Sequence, residues 1–272
     1  MYKSFFVIFL TVLPNIIYSQ SDNSLTDVSL IAQTKQLNQF IRRFNNLEDE
    51  KGNPKKWSDT LLYNNEIRKE FIKILFDLQN TNLQNNVKEI FIKEVTDKKS
   101  PQFIQLHKFQ WFAEVNCTFI YKKKQENITL VMKLQEEKTG SKWVISNAKN
   151  QRWTNLFAED TISSDLLFLH PMSHELEFTN MHKIFQTPEN LQHYAVREYQ
   201  NNFLTVFFYE IKNNDLKFET IKNVKFHFFQ IQNWYFSVSF FNRTGYNSGW
   251  LIDNLKTITE TEKTELLTNL LK

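Results

Sequence analysis

The sequence contains little cysteine, little glycine and little net charge, and each shortage excludes a class of protein. Cys117 is the only cysteine in 272 residues, so no disulfide can form within the chain. The four glycines are too few to favour phosphate-cradling loops, which depend on that residue. The formal net charge of +3 is far from the basic excess of a nucleic-acid-binding domain. We therefore expect neither a disulfide-rich module nor a nucleic-acid partner.

Long hydrophobic runs are also missing. The run Phe5–Tyr18 has 14 residues, whereas a membrane-spanning helix needs about 20. Lys3 before the run and small residues after it predict a secretory signal peptide over residues 1–20, cleaved near Ser19 or Gln20. An uncleaved membrane anchor is the alternative. After cleavage we expect no stable membrane span, and an exported protein of the periplasm or the extracellular space. The absence of disulfides favours a bacterial envelope.

Phenylalanine is abundant, with 26 residues, and aromatic residues favour pleated, half-buried strands. The strongest strand pattern predicts three antiparallel strands, over residues 103–121, 127–135 and 142–148. The first strand is expected to bend near Lys108. Short polar segments between the strands have the length of hairpin turns.

Helical spacing of apolar residues precedes these strands. It predicts one helix from Val28, a second from Leu61 and a third short helix over residues 87–95, where a strand is the alternative. At the other end of the chain, Thr259 and Glu262 have the spacing of a capping box and predict a C-terminal helix. The elements together predict an α+β fold.

Parts of the chain occur twice. The segment Trp143–Lys149 returns as Trp250–Lys256, 107 residues later. The segment that starts at Gln84 returns at Gln200 with an offset of 116 residues, and apolar residues from Phe103 onward match a series at an offset of 115. Repetition of the two tryptophans favours buried packing positions, because aromatic rings bury a large apolar area.

A repeat of this length is domain-sized and predicts two related lobes. We assign the first lobe to residues 21–150, a connection to 151–163, and the second lobe with its C-terminal helix to 164–272. Each lobe is expected to pack helices on a curved antiparallel sheet. Chance similarity between two phenylalanine-rich sheets is the alternative.

Each copy, helices first and long antiparallel strands afterwards, resembles the cone-shaped fold shared by ketosteroid isomerase and nuclear transport factor. The resemblance implies a curved sheet around helices, with a pocket at the open end that some members use for catalysis and others for binding. Fold alone does not decide between these uses.

Three segments also resemble an uncharacterised group of exported proteins of Bacteroidetes. They are the helix Phe40–Asn45, the strand Trp111–Val115 and the turn Asn247–Trp250. This resemblance implies export and supplies no activity.

Two sets of residues are candidate sites. Glu114 is an acid within an apolar strand, and inside a pocket it would have a raised pKa and could act as a base. Alternation along the strand equally allows it to face solvent. Trp234, Tyr235 and Tyr246 are candidates for a ligand-binding aromatic platform, since Tyr246 lies in the longest turn of the second half.

We expect neither a metal site nor a cofactor. Four side chains lie close together in the sequence without the spacing of a known metal motif. They are His170, His174, Glu175 and His182.

The sequence leads to three functional hypotheses. The first is an exported, non-enzymatic binding or scaffold protein of the bacterial envelope, whose partner is another envelope protein or a small ligand. The alternative is a small-molecule hydrolase or isomerase that uses Glu114. The third is a structural subunit of a surface assembly, which would self-associate.

Overall fold

The computed structural model describes residues 37–49, 53–56, 58–138, 140–156, 185, 202–243 and 247–271. Its helices are α1 (residues 37–44), α2 (Asn65–Ile74), α3 (Asn85–Val95), α4 (Gln151–Leu156), α5 (Phe203–Lys212) and α6 (Glu260–Leu271). Its strands are β1 (Trp111–Tyr121), β2 (Lys124–Glu137), β3 (Gly140–Lys149), β4 (Leu216–Phe228), β5 (Trp234–Phe241) and β6 (Gly249–Thr257). The predicted α+β class is confirmed.

The six strands form one antiparallel sheet, in the order β3-β2-β1-β4-β5-β6. Strands that the sequence predicts in two lobes therefore share a single sheet, because β1 pairs along its whole length with β4. Each half of the sheet is a run of three strands joined by consecutive connections. From either edge toward the centre, the strands of each half follow one another in reverse chain order, β3-β2-β1 on one side and β6-β5-β4 on the other.

The central strand pair has a symmetric register. Asn116 and Asn223 are Cα partners, and the Nδ2 atom of Asn116 donates to the Oδ1 atom of Asn223 at 2.8 Å. They are 107 residues apart, the same separation as Trp143 and Trp250. The central pair of the sheet thus has the same offset that relates the two tryptophan segments in the sequence.

The predicted strand from residue 103 is wrong over its first part. The strand begins at Trp111, and the preceding segment forms turns instead. Phe103 has a different partner: its ring lies 4.1 Å from the buried guanidinium carbon of Arg68. The sequence match at an offset of 115 is therefore not a structural equivalence. Phe103 lies outside β1, whereas Phe218, its match in the second half, lies within β4.

The hairpin between β1 and β2 is tighter than the sequence predicts. Lys122 and Lys123 alone connect the strands, and their φ angles are 45° and 71°. Positive φ at both central residues is the geometry of the two-residue turn whose twist matches the flanking strands. The two lysines adopt this less favourable, left-handed backbone conformation at the exposed tip of the hairpin.

Helices cover one face of the sheet at two separate places. Helices α1, α2 and α3 pack over β5 and β6, where the Phe91 and Trp234 rings lie 5.1 Å apart. Helices α4 and α5 pack at the far end of β1, where the Phe119 and Phe207 rings lie 5.6 Å apart. We call this the cavity face, because the described helices leave a space between these two groups. Helix α6 packs on the opposite face, against Phe112.

The C-terminal helix begins with the predicted capping box. The backbone N–H of Glu262 donates to the Oγ1 atom of Thr259 at 3.2 Å. In return, the backbone N–H of Thr259 donates to the Oε2 atom of Glu262 at 2.7 Å. The prediction from the spacing of these two residues is confirmed. The prediction of a third helix over 87–95 is confirmed by α3.

An ion pair joins the segment after α2 to the end of β5. The guanidinium of Arg243 donates to both carboxylate oxygens of the buried Asp77, at 2.6 and 3.1 Å. These hydrogen bonds hold the pKa of Asp77 below its ordinary value. The lowered pKa means that this contribution to stability is present above about pH 4, the ordinary value of an aspartate, and is lost as pH falls through the lower folded-state value.

We therefore expect the wild-type protein to lose more stability in acid than the Asp77→Asn variant. Between pH 5 and pH 2 the melting temperature of the wild type should fall by about 2–4 °C more than that of the variant. Thermal melts across this range measure the difference. Glu70→Gln, at a solvent-exposed carboxylate, is the control and should follow the wild type. Parallel curves for Asp77→Asn and the wild type would contradict the assignment.

Candidate binding cavity

A cavity of about 480 Å³ lies on the cavity face, between the two helix groups. Its floor consists of strand residues that alternate toward this face, including Ala113, Val115 and Cys117 of β1. The adjacent strands contribute side chains in register with them, since Ala113 pairs with Met132 on one side and Phe226 on the other. The remaining apolar lining residues are Leu37, Leu106, Trp111, Leu130, Leu134, Trp143, Ile145, Phe218, Ile221, Val224 and Trp250.

The two repeated tryptophans lie on opposite walls of this cavity. Trp143 and Trp250 both contact the ring of Phe226, with centroids 6.3 and 5.1 Å apart. Their burial differs: Trp143 is 38 % exposed, whereas Trp250 is 4 % exposed. The expectation that both are core residues is wrong for Trp143. Its edge strand, β3, lies on the half of the sheet that α1, α2 and α3 do not cover.

Cys117 lies in the floor of the cavity at the end near α5, and it is 1 % exposed. Burial raises the pKa of the thiol to about 11. A neutral thiol is a poor nucleophile, because the thiolate is the reactive form. Cys117 therefore serves as an apolar wall residue, as its position between Val115 and Phe119 suggests.

Glu114 lies on the opposite face of the sheet and does not line the cavity. Its Oε2 atom is 3.4 Å from the Nε2 atom of the buried His227. His227 is the main reason that the pKa of Glu114 is lowered, although partial burial acts in the other direction. The contact is long for a hydrogen bond, and among the described residues the Nε2 atom has no partner with hydrogen-bond geometry. The raised pKa expected of a pocket base is absent.

The predicted aromatic platform is not assembled from the two members that the structure describes. Trp234 is buried in the core on the cavity face, where its Nε1 atom donates to the Oε2 atom of Glu94 at 2.7 Å. Tyr235 points to the opposite face, where its hydroxyl lies 2.9 Å from the Nδ1 atom of His227. Consecutive strand residues face opposite sides of a sheet, so these two rings cannot form one surface. Tyr246 lies outside the described residues.

Metal binding and membrane crossing find no support within the described ranges. No three histidine, cysteine, aspartate or glutamate side chains there are grouped to hold a metal ion. No helix in the described part of the chain has the length and apolar character of a membrane span. The four side chains that we considered as metal ligands lie outside those ranges. They are His170, His174, Glu175 and His182.

Sequence reasoning missed most of the cavity residues as functional candidates. The alternation of Leu130, Met132 and Leu134 was a usable signal, because it predicted one apolar face of a strand. It could not show that the described helices leave part of this face uncovered. The assembly of the cavity depends on the β1–β4 pairing and on the spacing between the two helix groups.

Comparison of the chain with protein-family models, with curated proteins and with solved structures finds no significant match in any of the three.

Proposed function

We propose that the protein is a non-enzymatic binding protein that holds a small apolar molecule in the cavity. The cavity itself carries the proposal. Its volume of about 480 Å³ falls within the roughly 300–1,000 Å³ range of ligand pockets. Sixteen of the 19 described lining residues are apolar or cysteine, and the polar ones among them are Asn38, His107 and Ser141. Of the two predicted kinds of partner, this lining favours the small ligand.

The chemistry of the lining supports binding over catalysis. Among the lining residues that the structure describes, His107 and Cys117 are titratable, and the thiol is neutral at physiological pH. General acid–base catalysis requires a proton donor or acceptor beside the reacting group, usually with a second polar group to orient it. Glu114, the base of the alternative hypothesis, lies on the other face of the sheet.

A neutral, polarity-sensitive dye tests this function. N-phenyl-1-naphthylamine should bind the purified protein saturably at one site, with enhanced fluorescence. Ala113→Phe should weaken dye binding by at least about tenfold, or ~1.4 kcal/mol, because the added ring occupies the floor between Met132 and Phe226. Glu114→Gln, the next residue along the strand, is the matched control and should bind as the wild type does.

Ala113→Phe can also disturb packing, so its melting temperature is measured in parallel. Trp143→Ala provides a second variant at a partly exposed rim position. It should weaken dye binding several-fold with little change in melting temperature. Absence of saturable binding to the wild type, or equal binding by Ala113→Phe and Glu114→Gln, would refute the proposal.

Export to the bacterial envelope remains part of the proposal. It is supported by the pattern of Lys3 followed by the apolar run Phe5–Tyr18. Mass spectrometry of the protein recovered from the periplasmic fraction should show cleavage near Ser19 or Gln20. Recovery of the protein in the cytoplasm with an intact leader would contradict export.

We also propose that the two halves of the sheet descend from one duplicated unit. The common offset of 107 at Asn116/Asn223 and Trp143/Trp250 supports this, as does the symmetric strand order. A crystal structure should then allow β1–β3 to superimpose on β4–β6 with that offset. Superposition only at another offset would count against duplication.

A further inference from the structure

The polar residues of the described cavity lining are all at one end. Ser141 lies near the start of β3, two residues before Trp143, whose ring is 4.8 Å from that of Trp111. His107 lies in the segment just before β1, and this segment is held to Trp111, whose Nε1 atom donates to the carbonyl of Leu106 at 3.2 Å. These two side chains therefore flank the Trp111 end of the cavity.

The third polar residue, Asn38, comes to the same end on helix α1. The ring of Phe40, half a turn further along that helix, lies 6.2 Å from Phe228. Phe228 is the Cα partner of Trp111 and stacks on it at 5.4 Å. Helix α1 is thus positioned over the first residues of β1.

The other end of the cavity is apolar. Cys117, Ile221 and Phe218 form it. It abuts the cluster beneath α5, where the Phe119 ring lies 5.6 Å from Phe218. Six residues of β1 separate Trp111 from Cys117, which corresponds to about 20 Å at ~3.3 Å per residue.

The described lining is therefore apolar along β1, with its polar side chains at one end. Its extent along β1, roughly 20 Å, accommodates one extended hydrocarbon chain that lies along the strand. A compact ring system would leave much of that length unfilled.

We propose that the ligand is a single-chain amphiphile, with its hydrogen-bonding head group near Asn38, His107 and Ser141 and its tail along β1 toward Cys117. This inference rests on the proposed binding function. At ~1.25 Å per carbon, as tetrahedral carbon geometry dictates, the length accommodates a tail of about 16 carbons.

Chain length is the first test. Saturated fatty acids and fatty alcohols of 8 to 18 carbons, below their micelle concentrations, compete for bound N-phenyl-1-naphthylamine on the full mature protein. Affinity should increase about three- to fourfold for each added methylene group and stop increasing near 16 carbons. The acid and alcohol arms identify the head group, and 9-phenanthrol is the compact control.

The outcomes separate this inference from the proposed function. Displacement of the dye by 9-phenanthrol but not by the chains would overturn the amphiphile and leave the binding function intact. Binding of the chains without dependence on length would also overturn it. Failure of dye and all competitors to bind would remove the binding function itself.

The orientation of the chain is tested through Cys117, the only cysteine of the protein. Methyl methanethiosulfonate, a small apolar thiol reagent, should modify it slowly at pH 9. At equal occupancy, acids of 14 to 16 carbons should slow modification at least about fivefold, whereas an eight-carbon acid should not reach the thiol. Equal protection by short and long chains would overturn the orientation.

Head-group contacts are tested at the polar end. Ser141→Ala and Asn38→Leu should each weaken binding of dodecanoate several-fold, while dye binding stays near the wild-type value. Gln39→Leu, at the adjacent position on α1, lies outside the cavity lining and is the matched control. Unchanged dodecanoate affinity in both variants would overturn the assignment of the head group to this end.

Discussion

Replacement of Arg68 by alanine is expected to lower the free energy of unfolding by about 4 kcal/mol. The side chain is fully buried, with 0 % exposure. Its guanidinium donates to the backbone carbonyls of Phe44 at 3.1 Å, Val95 at 3.2 Å and Gln102 at 2.5 Å. Alanine would remove all three donors, and a buried carbonyl left without a partner costs about 1–3 kcal/mol.

Arg68 is tolerated in the core without a carboxylate partner among the described residues, for two reasons. Phe44 and Val95 are the last residues of α1 and α3, so the charge lies at two helix C-termini, where the dipole favours a cation. The Phe103 ring also lies 4.1 Å from the guanidinium carbon, a favourable cation–π distance. Burial lowers the pKa of Arg68 to about 10, which leaves the side chain protonated at neutral pH.

Urea unfolding monitored by circular dichroism measures the loss of stability. Lys73→Ala is the control on the same helix, since Lys73 is 56 % exposed and its ion pair with Glu70 is solvated. It should cost less than about 0.5 kcal/mol. Arg68→Lys should recover only part of the loss, because an ammonium group lacks the planar fork of donors. A cost below about 1 kcal/mol for Arg68→Ala would show that the three carbonyls find other partners.

Replacement of Arg152 by alanine is expected to cost about 3 kcal/mol. Arg152 on α4 lies between two carboxylates: it donates to both oxygens of Glu210 on α5 and to Glu126 on β2. Its guanidinium also lies 3.8 Å from the centre of the Tyr121 ring. The carboxylates raise the pKa of Arg152 further above its ordinary value, Glu210 most of all. Without the cation, the buried carboxylate of Glu210 would lose its partner of opposite sign in this cluster.

The loss is expected first where α5 packs on β3 and β4. Hydrogen exchange of the α5 amides should accelerate in Arg152→Ala more than exchange in α2. The double variant Arg152→Ala with Glu210→Gln should recover part of the stability, because an amide does not require a cation. Lys142→Ala, which removes an exposed ion pair with Glu137, is the control and should have little effect. A single variant as stable as Lys142→Ala would disprove the bridging role.

Several elements could be predicted from the sequence because neighbouring residues determine them. The capping box at Thr259 depends on one residue three positions away, and the hairpin of β2 and β3 depends on alternation across a short turn. Helix α3 could be predicted from its 3.6-residue spacing even though β-branched residues are present. In each case the determining contacts are local.

The candidate site could be predicted only in part. The apolar alternation along β2 could be predicted from the sequence. The face of the sheet on which Glu114 lies could not, since alternation permits either side. The residues next to Trp143 in the sequence also did not determine whether its side chain is buried. Its exposure follows from where three helices pack, far away in the sequence.

The sequence by itself determined the α+β class, the hairpin-forming strands and the start of the C-terminal helix, because spacing of apolar residues and capping groups acts over a few residues. Only the tertiary structure decided that β1 pairs with β4, that Phe103 leaves the strand to cover Arg68, and that the cavity lies between the two described helix groups. These outcomes depend on competition between contacts more than 30 residues apart, such as Phe103 with Arg68. The packing of the whole folded chain determines which of these contacts form, and the local sequence pattern does not show the result.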